Sequence, residues 1–171
     1  MGKMILRILA VTAIAGLPAR ADIWDACTSA LAFDAAIAEL EAGGWQPQDR
    51  GAAFTDAQTD ALAWTLMTRY VGTDTGGEDV ATLLDLQRSA VPGLLVRVDT
   101  DTTRSRVLLN GDDALTLTQT RTASGHVERS CRLSSAGSVP AGFDDVDTQN
   151  IEGAPATLAE TVTILPEEPE Q

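Results

Sequence analysis

The side chains that could do chemistry are few in kind. His126 is the only histidine among 171 residues. A Ser-His-Asp site would have to use it, yet no G-x-S-x-G elbow marks a nucleophilic serine. His126 opens a predicted strand beside a turn, which reads as a surface hairpin position. A single histidine also excludes a multi-histidine metal centre. Carboxylates are abundant, with 25 Asp and Glu. A pair of them could run acid–base hydrolysis. The aromatics that would hold a sugar are only seven: Trp24, Phe33, Trp45, Phe54, Trp64, Tyr70 and Phe143. The roles of an active site cannot be filled by name, so no catalytic residue and no cofactor is predicted. Gly76-Gly77 lacks the preceding strand and the lysine of a phosphate loop.

Residues 142–150 offer oxygen ligands at alternate positions. Asp145, Asp147 and Gln149 match the start of a calcium loop. The match ends there, because Asn150 stands where glycine is needed and Ala156 where the bidentate glutamate belongs. Asp145 and Asp147 are the first suspects for a cation, against the plainer reading of a solvated acidic turn.

Six arginines (97, 104, 106, 121, 129 and 132) fall in one stretch, residues 94–134. Arg97, Arg106 and Arg132 are the candidate patch for an anion or a protein partner. Cross-strand pairing with Asp99, Asp101 and Glu128 is the competing use. Arg129 shares the parity of Val127, Cys131 and Leu133, so it points inward unless a bulge changes the parity of the strand. A buried guanidinium needs a partner, and a helix carboxylate is the expected one.

Two cysteines, Cys27 and Cys131, complete the inventory. No C-x-x-C pair suggests redox work or zinc, and residues 23–26 do not form a lipobox. Their reading depends on the amino terminus. Lys3 and Arg7 precede or open an apolar run at residues 8–17, followed by Pro18 and Ala19-Arg20-Ala21. This is the layout of a secretory signal peptide, cleaved after Ala21. The run is too short to span a bilayer comfortably, so no stable membrane anchor is expected after cleavage. An even cysteine count in an exported chain predicts a Cys27–Cys131 disulfide. It would close a loop of about 100 residues, contributing roughly 4–5 kcal/mol in the chain-entropy account.

Charge narrows the partners. Removing residues 1–21 leaves 9 basic and 25 acidic residues, a formal charge of −16. Residues 22–93 and 135–171 are strongly acidic, while 94–134 carry 6 arginines against 5 acids. Phosphate backbones and anionic lipid headgroups are repelled by most of such a surface, which excludes nucleic acid as a partner.

The elements that must position these residues follow from periodicity. Residues 22–42 are alanine-rich and helical, as one bent helix or two short ones, ended by Gly43-Gly44 with Trp45 folding back. Thr55-Asp56-Ala57-Gln58 is a capping box opening a second helix to about Tyr70. A second such box at residues 75–78 opens a third, finished before Pro92. The period then changes to two. Strands are predicted around 94–98, 106–109, 115–118 and 127–133, joined by turns at 99–104, Asn110-Gly111 and Ser124-Gly125. Leu95 and Leu108 are placed on the outer sheet face. Residues 156–165 have the composition of a short fifth strand, and 166–171 that of a disordered acidic tail.

The expected architecture is α+β: an N-terminal layer of about three helices packed on one face of a four-stranded antiparallel meander, within a single domain over 22–165. The expected function is an exported, periplasmic or secreted, non-enzymatic binding or accessory protein with an unidentified protein partner. The alternatives are a small-ligand carrier and a carboxylate-dependent hydrolase.

Overall fold

The computed structural model describes residues 23–67, 77–137, 139, 142–143, 148–149 and 156–166. The signal segment 1–21, Tyr70, the start of the box at 75–78, Asp145, Asp147 and residues 167–171 lie outside them.

The first helical segment is two helices, α1 (Ile23–Thr28) and α2 (Phe33–Ala42). After α2 the backbone turns at Gly44, whose φ is 93°. The Trp45 N–H then donates to Leu40 O at 3.0 Å. This glycine-dependent stop folds Trp45 back into the core that also holds Leu40. The two-residue strand β1 (Gln46–Pro47) follows. Helix α3 (Asp56–Thr65) starts with the capping box: the Gln58 N–H donates to Thr55 Oγ1, and the Thr55 N–H to Gln58 Oε1. Helix α4 (Gly77–Ala90) ends in a 3₁₀ turn, Val91–Gly93, which accommodates Pro92.

Strands β2 (Arg97–Asp99), β3 (Thr103–Asn110), β4 (Asp113–Arg121) and β5 (Val127–Ser135) form the antiparallel meander. β6 (Thr148–Gln149) and β7 (Thr157–Leu165) complete the sheet. β7 is the expected fifth strand, nine residues long rather than short; it pairs with β5 from Val127↔Leu165 to Ser135↔Thr157. Sheet order is β1-β3-β4-β5-β7-β6, with β2 also on β3. Thus β1 and β2 divide one edge of β3: Gln46 faces Leu109, and Arg97 faces Arg106.

One turn differs from expectation by a residue. Asn110 pairs with Asp113, so the loop is Gly111-Asp112. Only Gly111 has positive φ, 63°, the pattern of a turn with glycine at its first loop position. The next hairpin closes with the Thr122 N–H donating to His126 O, and Gly125 takes the positive φ, 89°. His126 is exposed there.

The helices are divided between both faces of the sheet, where one face was expected. Ile23, Cys27, Phe33, Ala36 and Leu40 pack with Leu108, Leu115, Leu117, Cys131 and Leu133. Leu62, Trp64, Val80 and Leu84 pack with Val107, Leu109, Ala114 and Leu158. The cause is visible in β3: Val107, Leu108 and Leu109 are consecutive and all buried, which a strand with one wet face cannot satisfy. Leu108 is therefore core, contrary to its expected outward position, while Leu95 is exposed. Cys27 and Cys131, both fully buried, form the predicted disulfide and tie α1 to β5.

Candidate binding cleft

The disulfide face has an apolar end and a cationic end. Register assigns Arg106, Leu117 and Cys131 to one cross-strand row. Arg104, Gln119 and Arg129 form the next, and Arg121 opposite Val127 the one beyond. Helices α1 and α2 cover the first rows and stop short of the last.

Arg129 closes the covered part. It has no solvent exposure, and its side chain donates to Ala26 O, Ser29 O, Leu31 O and Gln119 Oε1. The three carbonyls lie within and just after α1, where the helix dipole places partial negative charge. The inward parity was legible in sequence; these carbonyl acceptors were not among the expected partners. They belong to a turn whose path no residue pattern specifies.

Arg104 and Arg106 are fixed on Phe33, the first residue of α2. Their guanidinium carbons lie 4.5 and 5.4 Å from the ring centroid, within cation–π range. Arg104 also grips Asp34 through two nitrogens, at 3.2 and 2.5 Å. Asp99 gathers the rest of the cluster: Arg97 at 2.6 Å, Arg106 at 2.9 Å and Arg104 at 3.5 Å. Hydrogen bonds from Arg97 and Arg106 hold the Asp99 carboxyl down at about 2. Asp34 is lowered as well, chiefly by its hydrogen bonds from Arg104. Carboxylates so held stay ionised and make poor proton donors near neutral pH.

Beyond this network a cleft of about 420 Å³ opens. It is lined by Ala32, Phe33 and Val127, by Thr100, Asp101 and Thr102 of the β2–β3 turn, and by Arg104, Gln119 and Arg121. Its size lies in the range of small-molecule sites, roughly 300–1,000 Å³. The walls are anchored: the Thr103 N–H donates to Thr100 Oγ1, and the Arg121 N–H to Thr102 O. Ala32 provides α2 with no side-chain cap, leaving the positive end of that helix dipole at the cleft.

Of the three arginines expected to form a patch, Arg97 and Arg106 meet around Asp99. Arg132 lies on the opposite face, in a 2.8 Å ion pair with Glu160, its cross-strand neighbour. Arg104, Gln119, Arg121 and Asp101 were not expected as cleft residues. Their row follows from the observed turns, since a Gly111-Asp112 loop sets Arg104 opposite Gln119, whereas the expected Asn110-Gly111 loop would set it opposite Leu117. Among the described residues no group of three His, Cys, Asp or Glu is placed to hold a metal ion, and no helix is long and apolar enough to cross a membrane. No protein-family model, curated protein or solved structure matches the chain.

Proposed function

We propose that this is an exported, non-enzymatic binding protein of the periplasm or extracellular space, and that its recognition site is the cleft beside Phe33. The observation that carries the reading is pre-organisation. Arg104 is stacked on a buried ring and held to Asp34 by two hydrogen bonds before any ligand arrives, so little of its side-chain entropy remains to be lost on binding. The buried disulfide suits an oxidising compartment. The test is native mass spectrometry of the protein recovered from its own periplasm. A non-covalent adduct is expected, and Thr102→Trp, which fills the cleft from an exposed turn, abolishes it. An adduct that survives Thr102→Trp places recognition elsewhere.

A second reading, docking of a protein partner, is favoured by Val162 and Ile164. These β7 side chains are 55% and 67% exposed on the face away from the disulfide. Crosslinking in the native periplasm checks it: one defined conjugate is expected for the wild type, and its loss in V162D/I164D.

A further inference from the structure

The cleft contains two opposite charges that the fold leaves unused. Arg104 is matched by Asp34 and Asp99. Arg121 and Asp101 line the same cleft, are both exposed, and take part in no ion pair with each other or with any other described residue. They enter from different elements, Arg121 from the end of β4 and Asp101 from the β2–β3 turn, whose backbones meet where the Arg121 N–H donates to Thr102 O. Ala32, Phe33 and Val127 are the apolar residues that line the same cleft.

An anion alone would satisfy Arg121 and be repelled by Asp101. A cation alone would meet the reverse. A molecule carrying both charges satisfies both, with a guanidinium fork suited to a carboxylate. We propose that the cleft binds a small zwitterion, a free amino acid, with its carboxylate at Arg121, its ammonium at Asp101 and its apolar body toward Phe33 and Val127. This assignment rests on the cleft being the recognition site, and it names the ligand class.

The test is amide-detected NMR titration of the mature, disulfide-bonded protein. The probes are L-leucine, γ-aminobutyrate, sodium acetate and methylammonium chloride. Saturable shifts are expected at residues 32–33, 100–102, 119–121 and 127 with one of the two zwitterions, at least ten-fold tighter than with either half-molecule. Preference for L-leucine or γ-aminobutyrate reports the charge separation the site accepts. R121Q and D101N are each expected to weaken binding at least ten-fold, while R121K retains part of it. Both positions are exposed, and unchanged shifts elsewhere certify folding. The assignment is overturned if acetate binds as tightly as the zwitterions, if D101N leaves affinity unchanged or improves it, or if no probe saturates at these residues. Should a native adduct nonetheless be lost in Thr102→Trp, the cleft remains the recognition site and only the zwitterion assignment fails.

Discussion

Arg129 shows how much one side chain can hold. It satisfies carbonyls of α1 and of the link to α2 while bonding Gln119 at the edge of the cleft. Arg129→Met is expected to cost on the order of 3 kcal/mol in urea unfolding, because buried carbonyls lose their donors at about 1–3 kcal/mol each. Its orientation was readable from period two alone; its acceptors were not, since main-chain oxygens carry no sequence label. Asp99 gives a pH signature. Its carboxyl sits at about 2 in the folded protein, against about 4 in an unfolded chain. The depressed value makes its stabilising contribution fully present above about pH 4, and that contribution is lost as pH falls toward and through 2. The stability gap between wild type and D99N is therefore expected to be constant from pH 7 to 5 and to narrow from pH 4 to 2.

At the scale of elements, the helix start at Thr55 was legible locally. The Thr55 box caps α3, and Thr55→Ala is expected to lower stability by about 1 kcal/mol in chemical denaturation. The strands at 97–133 meet through the hairpins that their glycines permit. What local pattern did not settle was the distribution of helices. Alternation around Leu94, Val96 and Val98 suggested one wet face, while the apolar run Val107–Leu108–Leu109 demands cover on both. The loop after Asn110 likewise slid by one residue because Gly111 alone takes positive φ, and that choice fixes which residues the arginines of β3 stand opposite. Arg132 fell out of the expected patch by strand alternation: adjacent to Cys131, it must point to the opposite face.

At the scale of the molecule, the disulfide and the buried guanidinium join α1 to β5 at neighbouring rows, Cys131 and Arg129. Replacing Cys27 and Cys131 together with alanine is expected to remove about 4 kcal/mol, read as a lower denaturant midpoint. That reasoning was open to the sequence, because two cysteines allow one pairing. The cleft was not, because it forms where α2 ends its cover of a sheet whose strands arrive some seventy residues later, as the Asp34–Arg104 pair shows. There is a temporal side to the same arrangement. α1 is made well before the strands it packs on, β5 and β7, and its Cys27 lies 104 residues ahead of Cys131. It must wait, unseated, until those strands have emerged. Such long-range closure slows folding.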